Sequence, residues 1–282
     1  MDRNLVFCAL ALSACGALGW LFGALPARAV SDPSGQRMER RCWHRLWLPL
    51  IPSALALALL IGWALQEPGR SDEIVRPLAL WTSLPVALVW LRAAWRAWRA
   101  LRGAESETAA VAVGLWRPRV IISDDYRRSI DERAVAAAVA HEQAHVRHRD
   151  PLRVFLAQIA TDLQWPARAA RDRLQSWATA LELARDEEAR HAGVCGADLA
   201  SAIVGAARWR RASGAPRAAA FLTGQENALL ARVHRLLGPL APAPARARRI
   251  WWLAGLALLG VAAGIGIACG DVVVRALPIV GS

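Results

Sequence analysis

Ser129-Ile130-Asp131-Glu132-Arg133-Ala134-Val135-Ala136-Ala137-Ala138-Val139-Ala140-His141-Glu142-Gln143-Ala144-His145-Val146-Arg147-His148-Arg149-Asp150 is the run on which the reading of this 282-residue chain turns. Ser129 with Glu132 three residues on reads as a capping box, and the Ala/Val repeats carry a helix to about His148. Asp150-Pro151 ends that helix and opens another, with Asp150 as the expected N-cap. His141 and His145 stand at i, i+4, so both imidazoles project from one helix face and can reach one metal ion. Glu142, beside the first of them, can take a proton from water that a zinc ion has acidified.

A catalytic zinc site takes three protein ligands and leaves one position open. Glu182, in Glu182-Leu183-Ala184-Arg185-Asp186, is the candidate third ligand. Asp186, one turn further along the same face, can accept a hydrogen bond from a ligand imidazole and fix its tautomer. Other side chains read more plainly: His148 as an exposed helix-end residue, Glu187 and Glu188 as surface charges, and His44 and His234 as remote from the site. His191 is a weaker candidate for hydrogen-bonding a developing oxyanion. The five Cys show no metal-binding spacing.

Around this centre a helical unit with one small hairpin is expected. Arg102 to Thr108 is a polar linker. Ala110–Val113 and Val120–Ile122 are short β-branched strands parted by Gly114 and Pro118. Trp165-Pro166 breaks the chain, and Ala167–His191 forms one long helix stopped by Gly193. Further helices cover Ala197–Arg211 and Gln225–Leu237, and Ala-Pro repeats near Pro239 to Pro244 make a stiff linker.

Outside this unit the sequence is strongly apolar, with 55% hydrophobic residues and a mean hydropathy of +0.25. That composition excludes a disordered chain. The apolar residues collect in four runs, Leu5–Leu25, Leu46–Leu65, Ile74–Leu91 and Ile250–Ala268, each near the length a membrane span needs. Seven Trp (20, 47, 63, 81, 90, 251 and 252) lie towards the run ends, as an aromatic belt would place them. The first run is too long for a signal-peptide core and has no net positive front end.

All 35 basic residues are Arg, giving a net charge of +12. They crowd Pro26–Arg45, Arg92–Arg102 and Arg246–Arg249. The positive-inside rule then puts those segments in the cytoplasm and both termini outside. Flanking clusters of this kind bind anionic headgroups, which accounts for the charge better than nucleic-acid binding does. The expected organisation is therefore 1–102 as three transmembrane helices and loops, 103–245 as a cytoplasmic metallopeptidase domain, and 246–282 as a fourth helix with a short external tail. The fold class is mainly α, and the location is the cell membrane.

The stretches Arg117-Pro118-Arg119-Val120-Ile121-Ile122-Ser123, His141 to Asp150, Gln164-Trp165-Pro166 and Glu182 to Ala189 together resemble the integral-membrane zinc peptidases of the beta-lactam sensor type, the Bla and Mec antirepressor family. The resemblance covers about residues 45 to 270. It implies a gluzincin, with Zn2+ held by His141, His145 and Glu182 and with Glu142 as general base. It also implies a cytoplasmic repressor as the protein substrate, and a winged-helix repressor encoded beside this chain would support that role. Two departures stand out. Arg185 occupies a position where the family often has Cys, with no expected bearing on the metal. Sensor members also carry a penicillin-binding domain after the last span, whereas this sequence ends at Ser282, so beta-lactam sensing is not expected of it. A non-cleaving membrane scaffold and a broad-specificity quality-control protease are the rival functions.

Overall fold

The computed structural model of the protein describes residues 3–26, 30–64, 75–102, 109–212, 225–242 and 255–265. Among these it is mainly helical, with one two-stranded sheet. In chain order the elements are α1 (Arg3–Gly23), α2 (Gly35–Trp47), a 3-10 turn (Leu48–Leu50), α3 (Ile51–Ala64), α4 (Val75–Arg102), β1 (Ala110–Val113) and β2 (Arg119–Ile122). Then follow α5 (Asp124–Arg128), α6 (Glu132–Arg147), α7 (Asp150–Leu163), α8 (Arg168–His191), α9 (Gly196–Ala212) and α10 (Gln225–Leu237). A further apolar helix occupies Gly255–Ile265. The Arg102–Thr108 linker beyond Arg102, the loop before α4, the end of the Ala-Pro linker from residue 243, the flanks of the fourth apolar run and the chain's last residues lie outside the described residues.

The expected hairpin is present, antiparallel, with Val111 opposite Ile121 and Val113 opposite Arg119. Among the described residues, one continuous helical stretch is long and apolar enough to cross a membrane, Gly35–Leu59, and two shorter apolar helices cover Ser13–Gly23 and Gly255–Ile265. Of the four expected spans, one is thus matched by a helix of sufficient length and apolarity among the described residues. Within Gly35–Leu59 the front half is charged, so the apolar part begins near Leu46. α4 has 28 residues, about 42 Å of helix. Its C-terminal turns carry Arg92 and Arg96, which pair with Asp162 of α7 at 3.3 and 2.9 Å.

Three local expectations are corrected. The Ser129–Glu132 capping box does not form: Ser129 ends α5, its hydroxyl donates to the Tyr126 carbonyl at 2.7 Å, and Asp131 is the N-cap of α6. Nor is Asp150 an N-cap. Arg149 holds that place with a left-handed φ of 51°, and the Asp150 carboxylate is drawn inward by charged partners. The segment after α1, read as a loop, is largely the helix α2. Ser34 caps it, and Gly35, Glu39, Cys42 and Leu46 are buried along one face.

That face packs on α8. A Cβ on Gly35 would sit 2.6 Å from the Leu183 carbonyl oxygen, so only glycine permits this approach. Cys42 and Leu46 join Ala157, Ala160, Leu174, Trp177, Ala180 and Leu181 in one core, with Trp43 tilted against Trp177 at 5.0 Å. A second core joins Tyr126, Ala134, Ala138 and Ala202, where the buried tyrosine hydroxyl donates to the Ala202 carbonyl at 2.7 Å. The alanines of α6 keep this helix close to its neighbours, so its two histidines are held by packing on both sides.

Candidate metal centre

His141 and His145 are buried on α6, and Glu182 faces them from α8. The two Nε2 atoms are 3.2 Å apart. Glu182 Oε2 lies 3.5 Å from His141 Nε2, and Glu182 Oε1 lies 3.6 Å from His145 Nε2. A tetrahedral zinc with ligand bonds of about 2.0–2.1 Å would separate its ligand atoms by roughly 3.3 Å. The two Nε2 atoms stand at that spacing, Glu182 turns one oxygen towards each imidazole, and one ligand atom from each of the three residues falls within 4.8 Å of the others. Glu182 is also the open side of the group, its side chain 32% exposed against 8% and 11% for the histidines.

Each imidazole is braced from behind. His145 Nδ1 donates to Asp150 Oδ2 at 2.9 Å. His141 Nδ1 lies 3.0 Å from Asp186 Oδ1, at ion-pair distance though without hydrogen-bond alignment. With both Nδ1 atoms turned towards carboxylates, both Nε2 lone pairs point at the same small space. Two lone pairs at that range repel unless a positive charge lies between them. The surrounding carboxylates favour positive charge at this spot: burial alone would lower the His141 pKa, yet Asp186 and Glu182 outweigh it and raise it to about 10, so that without a cation a proton takes its place. The residues present therefore fit a divalent cation.

Glu142 is half-buried beside the first ligand. Burial pushes its carboxyl upward, against the pull of His141 and His145, and the Ala112 backbone N–H of β1 hydrogen-bonds to it. The general-base candidate is thus tied to the sheet edge. Burial would also raise Glu182, but Arg232 and His141 hold its carboxyl well below the usual range.

Of the residues singled out in the sequence, His141, His145, Glu182 and Asp186 come together, with Glu142 adjoining. His148 is exposed and pairs with Glu188 at 2.8 Å, as expected of a helix-end residue. Glu188 is itself partly buried, and His148, Arg147 and Arg185 draw its carboxyl down to about 2 against the effect of burial. Glu187 is a correction: it is buried, and it accepts from Ser34 Oγ at 3.0 Å and from the Gln36 N–H at 3.2 Å, latching α2 to α8. His191 meets the Ala241 carbonyl at 3.1 Å instead of the site. His44 and His234 are exposed.

Two arginines were not anticipated. Arg232 of α10 forks onto both oxygens of Asp186 at 2.8 Å and reaches Glu182 Oε2 at 2.9 Å. Arg185, expected to have no bearing on the metal, contacts Asp150 at 2.5 and 3.0 Å and so braces the residue that orients His145. Neither role has a local sequence signature, because Asp150 lies 35 residues from Arg185 and Asp186 lies 46 from Arg232.

Residues 104–189 match the family described as BlaR1 peptidase M56. Comparison with curated proteins and with solved structures gave no match.

Proposed function

We propose, with residues 104–189 belonging to the BlaR1 peptidase M56 family as the premise, that this chain is a membrane-anchored zinc-dependent endopeptidase. The observation that carries the reading is the convergence of two Nδ1-braced imidazoles and Glu182, one ligand atom from each within 4.8 Å of the others. When bound there, zinc supplies Lewis-acid polarisation of a scissile carbonyl and a lowered pKa for water. The chain's own residues do the rest. His141, His145 and Glu182 form the holding set, and Asp150 and Asp186 orient the rings. Glu142 takes a proton from water at its carboxylate oxygen and passes it to the departing amide nitrogen.

Sheet geometry supports an extended peptide as the substrate. Ser123 donates its N–H to the Ala109 carbonyl, so alternate pairing turns the polar groups of Ala110 and Ala112 away from β2. That outer edge meets Glu142, where a peptide adding as a strand would place its bonds beside the general base. Purified protein in detergent should cleave an unfolded fluorogenic polypeptide, lose the activity to a zinc chelator and regain it on zinc addition. Full activity in the chelated protein overturns the proposal.

Membrane anchoring by four spans, with residues 103–245 as the cytoplasmic peptidase domain, belongs to the same proposal. The packing of α2 on α8 supports it, because the Arg-rich connection between the first two spans must share a side with the peptidase domain. Cys195 is free and exposed on that domain. A membrane-impermeant thiol reagent should label it in inside-out but not right-side-out vesicles, with the Cys195→Ser variant marking the band, and the reverse pattern would invert the topology. The substrate we propose is a cytoplasmic repressor-like protein. Co-expression with a winged-helix repressor encoded beside it should yield a defined fragment, and an intact repressor would rule that substrate out.

A further inference from the structure

We infer that Glu39, on the connection between the first two apolar runs and outside the 104–189 family segment, is a positioning residue for the metal ligand His145, acting through Arg153 and Asp150. The inference rests on the metallopeptidase reading above.

Asp150 carries the argument from the metal site outward. Its carboxylate accepts from His145 Nδ1 and is contacted by two guanidiniums, Arg185 and Arg153, with Arg153 Nη1 at 3.0 Å from Oδ1. Arg153 is held in turn. Its guanidinium lies over two neighbouring indole rings, 4.6 Å from that of Trp43 and 5.6 Å from that of Trp177. Its other Nη atom donates to Glu39 Oε1. Glu39 is buried, and the same oxygen accepts from Trp177 Nε1 at 2.9 Å. A carboxylate is seldom buried unless its charge is matched. Here the match is Arg153, and a chain of contacts through Glu39, Arg153, Asp150 and His145 runs from α2 through α7 to α6.

The consequence is that α2 belongs to the working site. Without Glu39, Arg153 keeps one anionic partner and is free to turn on its stem, and Asp150 loses a fixed donor. The aim of the His145 ring is then set by Arg185 alone. Removing a group that orients a metal-bound histidine costs about 10–100-fold in metal affinity. One more step separates Glu39 from the ring, so about tenfold is expected.

The test uses the full chain in detergent with Co2+ as the probe, read by chelator competition and by the cobalt d–d absorption bands, which report ligand geometry. Glu39→Gln should weaken Co2+ binding about tenfold and shift the bands. Arg153→Met, which fills much of the stem's volume but carries no charge, should do the same and serves as the test should Glu39→Gln fail to fold. The double variant should lose no more than the worse single, because both act along one path. Ser34→Ala is the control, since it cuts the other latch of α2, at Glu187, without touching this chain. It should lower thermal stability and leave affinity and spectrum alone. Wild-type binding and spectrum in Arg153→Met, or an equal loss in Ser34→Ala, overturns the inference. A wild-type chain that binds no Co2+ overturns the metallopeptidase reading itself, so the two failures are distinct.

Discussion

Glu142→Gln keeps its metal and loses cleavage, by about 10²–10⁴-fold for the removal of general acid–base catalysis. The substitution is nearly isosteric. The amide oxygen can still accept the Ala112 N–H, so the tie to β1 survives. The ligand atoms belong to His141, His145 and Glu182, so metal content should be unchanged. What disappears is a carboxylate that can take a proton and return it. Metal analysis and peptide hydrolysis on the same preparation check both halves. A variant that hydrolyses peptide at the wild-type rate removes Glu142 from the mechanism, and one that loses its metal shows the residue to be structural. The wild-type enzyme adds a pH signature. Burial raises the Glu142 carboxyl, and the base must be ionised to act. Activity should therefore fall on the acid side as pH drops through that raised value, above the ordinary glutamate range.

The core of this site was legible because its information is local. Helical spacing alone puts His141 and His145 on one face, and the same rule puts Asp186 one turn beyond Glu182. The hairpin and the helices after Trp165-Pro166 were legible from turn residues and periodicity. The supports were not. Asp150 has two local roles open to it, helix cap or charge partner, and nothing in the sequence shows that Arg149 takes the cap position with a left-handed backbone. Arg185 and Arg232 act on residues far away in sequence, and each looks like any other member of a 35-Arg chain. The α2 segment was hidden for a different reason. Its many charges suggested a cytoplasmic loop, while Met38, Cys42 and Leu46, spaced by four, carried a helical stripe that could have been read. Glu39 lies on that buried side, which a polarity count takes for surface.

Arg232→Met should be the most destabilising change in the metal-free protein, and zinc should recover part of the loss. Glu182 and Asp186 stand one turn apart on α8, with His141 between them and the solvent side largely closed over Asp186. Burial by itself would push both carboxyls upward, and Arg232 is the main group holding them down. Methionine fills much of the stem's volume but carries no charge. Two like charges then share one partly buried space with His141 as their nearest cation. Breaking a buried pair by deleting one partner costs about 3–5 kcal/mol. Thermal unfolding in chelator should show that loss as a large drop in midpoint. Zinc brings two positive charges to the same carboxylates, so its addition should raise the midpoint more in the variant than in the wild type. Arg232→Lys keeps the charge but cannot fork across Asp186 while reaching Glu182, and it should fall between the two. An unchanged midpoint in chelator would mean that Arg232 is a bystander, and that the carboxylates are held down by His141 alone.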